Sequence, residues 1–92
     1  MIRSLACAET EALFNSRSVS RFRSIERVAR RKLLQIHAAT EIASLRIPPG
    51  NQLEMLKGNR KGQHSIRVND QWRICFVWKS EGAHNVEIVD YH

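Results

Sequence analysis

The period of the apolar residues changes once, at Pro48-Pro49-Gly50-Asn51, and this change constrains the fold more than any other feature of the chain. Before it, apolar residues recur at helical spacing; after it, they alternate. Ile25, Val28, Ala29, Leu33, Ile36 and Ala39, with Leu34 beside them, form one stripe, and Arg27, Arg30, Arg31 and Lys32 fill the other side. This predicts a main helix over about residues 25–39, with Ser24 as its N-cap. Residues 9–14 read as a brief helix carrying Glu9 and Glu11 in its first turn, where acids suit the dipole. Residues 15–20 are polar and serine-rich, and read as a loop. Thr40 is expected to cap a short turn through Leu45, and the double proline to end all helical structure.

Beyond Asn51, residues 53–56, 64–68, 72–79 and 86–91 read as strands, separated by glycine- or Asn-Asp-containing turns. Ile2 to Leu5 is a short apolar start that suits a further strand. The sum is a single α+β domain over residues 1–92. Two or three N-terminal helices pack on one face of a mostly antiparallel, four- to five-stranded sheet. Trp72, Ile74, Phe76 and Trp78 share one face, and that face belongs to the core. Arg73, Cys75 and Val77 therefore point to the other.

Charge narrows the partners. Fifteen Lys and Arg stand against nine Asp and Glu, a formal net charge of +6, and Arg far outnumbers Lys. The planar Arg fork suits phosphate, which favours nucleic acid or an acidic protein as partner. From Arg17 to Lys32, the residues Arg17, Arg21, Arg23, Arg27, Arg30, Arg31 and Lys32 face one acid, Glu26. This run reads as a patch for structured RNA, against the alternative of a solvated helix face. Composition predicts that its first part, Arg17 to Arg23, is ordered by an acidic partner. Cys7 and Cys75 are too few and too far apart for a disulfide framework or zinc site, and read as reduced thiols of a cytoplasmic protein. Leu5-Ala6-Cys7 lacks the apolar segment that a lipoprotein signal needs. No run approaches the ~18 apolar residues of a membrane span. His37 reads as a helix-end or surface residue and His64 and His84 as surface residues, with no metal spacing among them. Neither a metal nor another cofactor is expected.

The closing Asp90-Tyr91-His92 places a carboxylate, a phenol and an imidazole at the end of the last strand, with the terminal carboxylate beside the imidazole. Cleavage of RNA through its 2′-hydroxyl needs a base for that proton, a cation for the phosphorane and an acid for the leaving oxygen. Asp90 or His92 can fill the first and last roles, and Lys57, Arg67 or Arg73 the middle one. By itself such a tripeptide is more often a surface accident.

Residues 56–62 (Leu-Lys-Gly-Asn-Arg-Lys-Gly), Ser65-Ile66-Arg67-Val68, Asn69-Asp70-Gln71-Trp72-Arg73-Ile74 and the ending Asp90-Tyr91-His92 resemble the HigB family of bacterial toxins, as do Met1-Ile2-Arg3-Ser4 and Ala38-Ala39-Thr40-Glu41. The likeness is collinear over the whole chain, and its Pro48-Pro49-Gly50-Asn51 turn is shared with GraT-type members. The wider group is the RelE/ParE superfamily, with the same helices-on-sheet fold. The resemblance implies a type II toxin that cuts mRNA in the ribosomal A site without metal, leaving a 2′,3′-cyclic phosphate. It places Lys57, Arg73, Asp90, Tyr91 and His92 at active-site positions; Arg60, Lys61 and Arg67, basic residues between and beside them, read as RNA- or ribosome-binding. The implied partner is a helix-turn-helix antitoxin of the HigA or GraA type, which mediates any contact with operator DNA. Where several HigB proteins carry a histidine three residues before Lys57, this chain has Glu54, which leaves open whether glutamate serves as the base or activity is weaker. A gyrase inhibitor and a non-catalytic ribosome- or RNA-binding module are the rival readings.

Overall fold

Two α-helices and four antiparallel strands carry the fold of the computed structural model, which describes residues 1–90. Helix α1 spans Ala8–Phe14. The Cys7 thiol caps it by accepting the Thr10 amide at 3.4 Å. The buried Thr10 hydroxyl in turn accepts the Ile88 amide at 3.1 Å, tying the helix to the last strand. Helix α2 spans Glu26–Ala38 and buries Ala29, Leu33 and Ile36, three members of the stripe read from the sequence.

The start of α2 differs from expectation. Ser24 is not its cap: Ser20–Ile25 forms a 3-10 helix that runs directly into α2, which begins without a side-chain cap. Phe22 and Ile25 are the cause, since both are buried in the core and coil the segment inward. Phe22 meets Trp72 edge-on, with ring centroids 5.5 Å apart. The Arg17–Arg23 segment is thus anchored within the protein itself. Thr40 caps nothing either: the following 3-10 helix spans Ile42–Arg46 after Glu41, whose carbonyl accepts the Ser44 hydroxyl at 2.7 Å.

The double proline does not end helical geometry at once. Pro49–Asn51 forms one 3-10 turn, because proline at a helix start has its φ preset and lacks only an amide that would go unused there. Asn51 is fully buried. Its side-chain amide donates to Gln35 Oε1 and the Leu45 carbonyl, both at 3.1 Å, and its Oδ1 accepts from Lys32 Nζ. One asparagine therefore fastens the turn to α2. The next residue, Gln52, is left-handed at φ 45°.

Strands β1 (Glu54–Met55), β2 (His64–Arg67), β3 (Trp72–Lys79) and β4 (Gly82–Asp90) lie in chain order across one sheet. The helices cover the face that carries Ile66, Ile74, Phe76, Val86 and Ile88. A fifth strand is reduced to two parallel bridges, Ile2 to Ala83 and Leu5 to Val86, along the outer edge of β4. His37, in the last turn of α2 as expected, holds this segment by accepting the Ile2 amide on Nδ1 at 3.0 Å, and is half-buried rather than a bare surface group. Strand β4 starts earlier than its apolar alternation indicates, at Gly82 (φ +137°), where a Cβ would lie 2.1 Å from the Met1 carbonyl oxygen. Among the described residues no helix is long and apolar enough to cross a membrane.

Asn51→Ala should destabilise the protein by about 2–3 kcal/mol, because it strands the Leu45 carbonyl and a partly buried ammonium at once. Urea unfolding followed by tryptophan fluorescence measures this.

Candidate active site on the open sheet face

The register of the sheet builds the candidate site on the face away from the helices. Glu54 lies opposite Ser65, Ser65 opposite Cys75 and Cys75 opposite Glu87. These four make one row across the sheet. The adjoining row is Arg67, Arg73 and Val89. Directly opposed residues share a face, so Arg73 lies away from the core, as its place in the alternation predicts.

Arg73 is only 7% exposed, and a buried guanidinium has to be saturated with acceptors. Its Nε donates to Ser65 Oγ at 2.8 Å. Its Nη2 donates to the Gln52 carbonyl at 2.6 Å, with the Ser65 carbonyl at 3.4 Å. Glu54 stands 3.9 Å from Nη1. Arg67, its cross-strand neighbour, is ion-paired to Asp70. Two guanidiniums directly opposed would repel, and each has instead its own carboxylate. Between them opens a polar cleft of about 210 Å³, lined by Gln52, Glu54, Arg67, Asn69, Asp70 and Arg73.

A second group of charges lies beside this cleft. The turn between β1 and β2 contains a 3-10 helix, Gly58–Arg60, between positive-φ glycines Gly58 (+67°) and Gly62 (+91°). Arg60 reaches from it to Glu87 on β4 at 3.5 Å, and Gln63 Oε1 accepts from the same guanidinium at 3.1 Å. Beneath, Cys75 is buried outside the helix-side core. Its thiol is pushed up in pKa chiefly by that burial and also by the Glu87 carboxylate, against smaller lowering effects of the Arg60 and Arg73 guanidiniums. Lys57 precedes the turn and is exposed, as is Lys61; neither ammonium meets a hydrogen-bonding or charged partner among the described residues.

Asp90 ends β4 opposite Trp72 and accepts from Gln71 Nε2 at 3.2 Å. Being directly opposed to Trp72, it shares the face of that residue and not that of Arg73, at the end of the sheet where the two faces adjoin. Tyr91 and His92 lie outside the described residues. The structure therefore brings Glu54, Arg67 and Arg73 into one cleft and sets Arg60 beside it.

The Arg17–Lys32 patch is separate from the cleft, on the helix side of the molecule. It divides by role. Arg30 donates to the carbonyls of Leu13 (3.0 Å) and Arg17 (3.1 Å). Lys32 is engaged by Asn51, and partial burial, followed by the nearby Arg31 charge, lowers its pKa. Arg21 pairs with Glu9 at 3.0 Å and sits 5.3 Å from the ring centroids of Phe22 and Trp72. The side chains of Arg17, Arg23, Arg27 and Arg31 are exposed.

Three residues had no signal in the apolar pattern: Gln52, which acts through its carbonyl, Ser65 and Glu87. Only the register could have shown the last two, as the cross-strand row of Cys75. His64 is half-buried rather than superficial, because it stands opposite Phe76 with the rings 6.4 Å apart. Its burial lowers its pKa. Among the described residues, no three His, Cys, Asp or Glu side chains converge as metal ligands.

Comparison with known proteins supplies a family. The model of the RelE-like toxin of the type II toxin–antitoxin system HigB matches residues 14–92. Toxin HigB-1 of Vibrio cholerae is 54% identical over 55 residues, covering 60% of this chain and 58% of the relative. Endoribonuclease HigB of Proteus vulgaris is 39% identical over 61 residues, covering 66% and 65%. The chain thus spans about three-fifths of the length of the curated relatives it matches. A YoeB–YefM complex from Staphylococcus aureus contains a chain of the same fold, with a TM-score of 0.57 at 14% identity, covering 100% of this chain and 98% of that one. A heterotetrameric YoeB–YefM toxin–antitoxin complex from the same organism gives 0.58.

Arg73→Lys keeps the charge but cannot span Ser65, the Gln52 carbonyl and Glu54 together. It should lower stability by about 1–3 kcal/mol, measured by urea unfolding, so a loss of activity in this variant has to be corrected for its folded fraction.

Proposed function

The chain belongs to the family of RelE-like toxins of the type II toxin–antitoxin system HigB, and from that premise we propose that it is a ribosome-dependent endoribonuclease that cuts mRNA, arrests translation and is neutralised by a helix-turn-helix antitoxin of the HigA type. The observation that carries the reading is the polar cleft that opens between Arg67 and Arg73 on the uncovered face of the sheet. The name of the Proteus relative supports a nuclease, and the two-component staphylococcal complexes support an antitoxin partner. The proposed setting is the cytoplasm, where ribosomes are, and operator DNA is met only through the antitoxin.

In the proposed reaction the 2′-hydroxyl attacks the adjacent phosphorus and loses its proton to a base. The bond to the 5′-oxygen breaks, and that oxygen takes a proton from an acid. The products are a 2′,3′-cyclic phosphate and a 5′-hydroxyl. Arg73 and Lys57 neutralise the phosphorane, with Arg67 beside them. Asp90 and His92 exchange the protons, with Glu54 as an alternative base at the mouth of the cleft. Tyr91 offers an aromatic face on which a base can stack. No step calls on a metal or other cofactor. A domain of this size offers little surface for orienting a substrate, so the ribosome supplies part of the pocket.

His92→Ala and Asp90→Asn should each reduce cleavage roughly 10²-fold or more while the fold is retained. Primer extension on mRNA after induction, at matched expression, measures this and separates the rivals. A gyrase inhibitor or a non-catalytic binder gives growth arrest without new 5′ ends, and undiminished cleavage by both variants removes the assignment of this chain end.

The exposed arginines of the patch should govern association. Reversing Arg17, Arg23, Arg27 and Arg31 to Glu is expected to weaken ribosome binding and flatten its salt dependence, by about 0.7 in log–log slope for each single-strand phosphate left without its cation. Arg30 and Lys32 are left intact because they hold the fold. Unchanged binding at low salt would mark the patch as a solvated face.

A further inference from the structure

The Arg60–Glu87 pair lies across the candidate site, and Glu87 has no part in the chemistry proposed above. The turn that contains Arg60 is shaped from within. The Arg60 amide donates to the Lys57 carbonyl at 3.4 Å, Lys61 to Gly58 at 3.1 Å and Gln63 to Arg60 at 2.9 Å. The Leu56 amide closes the loop on the Gln63 carbonyl at 2.8 Å. These bonds set the shape of the turn, not its tilt against the sheet. Strand β1 is two residues long, so the ladder alone holds the hairpin weakly. Leu56 is buried outside the helix-side core, as Cys75 is, so the turn leans over the open face. Among the described residues, the ion pair that joins this turn to the far strand is Arg60 Nη2 to Glu87 Oε1, at 3.5 Å, with Nη1 also at 3.5 Å.

We infer that Arg60 and Glu87 form a positioning clamp that sets the Lys57 ammonium relative to β4, the strand that ends at Asp90. Lys57 lies three residues before Arg60, and Asp90 three residues after Glu87. The pair thus bridges the two segments that the proposed reaction has to bring together across a single phosphate. Both side chains are about one-third exposed, and a pair so placed contributes little to stability. Its contribution is geometric. Arg60 is accordingly a positioning residue, since its guanidinium is already committed to Glu87 and Gln63.

The inference rests on the nuclease reading and is tested with the full chain acting on mRNA-programmed ribosomes under single-turnover conditions. Glu87→Gln and Arg60→Gln should each lower the maximal rate about tenfold or more, since small displacements of a reacting group are that costly. The half-saturating ribosome concentration should hold for both, or fall for Glu87→Gln, because the released Arg60 adds a cation facing the RNA. The charge-swapped double variant, Arg60→Glu with Glu87→Arg, should recover most of the rate. Hydrogen exchange at the Lys61 and Gln63 amides, read independently of activity, should quicken in the single variants and slow again in the swap. A simple RNA contact by Arg60 predicts the opposite split, a higher half-saturation at an unchanged maximal rate, and would overturn the clamp. So would a Glu87→Gln variant that cuts as fast as the parent chain. If the parent chain cuts nothing while the exchange differences stand, the nuclease reading falls, and the clamp loses its catalytic meaning with it.

Discussion

One buried guanidinium organises the open face. Arg73 is withdrawn from water into a sheet whose other side is already closed by helices, and every acceptor it needs comes from a different piece of chain. Ser65 comes from the neighbouring strand, the carbonyl of Gln52 from the loop before β1, and Glu54 from the edge. A charge in that position is tolerable only while all three remain in place. The left-handed Gln52 supplies its carbonyl only if the preceding turn is fixed, and that turn is fixed by Asn51, which is fastened to Lys32 and Gln35 of α2. A continuous line of hydrogen bonds thus runs from the main helix, past the sheet edge, to the cleft.

This dependence explains how basic residues are distributed. A net charge of +6 on a small domain is uncomfortable unless the cations are spaced or paired. On the open face the arginines are paired, Arg73 with Glu54, Arg67 with Asp70 and Arg60 with Glu87, while Lys57 and Lys61 are exposed. On the helix side, four arginines are left to water, while Arg21, Arg30 and Lys32 hold neighbouring segments. Of the open-face pairs, Arg67 with the fully exposed Asp70 is the one that can exchange its carboxylate for an external phosphate, while Arg73 and Arg60 keep their partners. The exposed arginines give the helix side the charge that a steering surface for the proposed polyanionic partner needs.

Periodicity made much of this legible. Alternation in residues 72–79 placed Arg73 opposite the core, and the stripe of α2 was visible because Ala29, Leu33 and Ile36 repeat at the helical spacing. Of the 3-10 segments, the turn through Leu45 was anticipated, though not its cap, and the others were not visible. They are too short to show a period, and Phe22 coils one of them inward by burial alone. Proline misled for a related reason: it forbids continuing a helix but favours starting one, and Pro49–Asn51 does the latter. At the site, parity reports the face a residue occupies and not the reach of its side chain. The Arg60–Glu87 link was therefore beyond the pattern, although both residues were plain in the sequence. So was the Gln52 contribution, which is made by backbone.

The end of the sheet is where the two sides of the molecule meet, and Trp72 is the hinge of that meeting. From the core side it packs against Phe22, with the Arg21 guanidinium over its ring. Along the ladder it stands opposite Asp90, while its neighbours Gln71 and Arg73 bond to Asp90 and to the cleft. A group that handles protons has to be held to a fraction of an ångström, and rigid elements do this better than loops. Asp90 gains such rigidity from β3, the strand buried most continuously, from Trp72 to Phe76. In the proposed reaction a large aromatic wedge at this point would serve chemistry without touching it, by holding the end of β3 against which the Asp90 carboxylate stands.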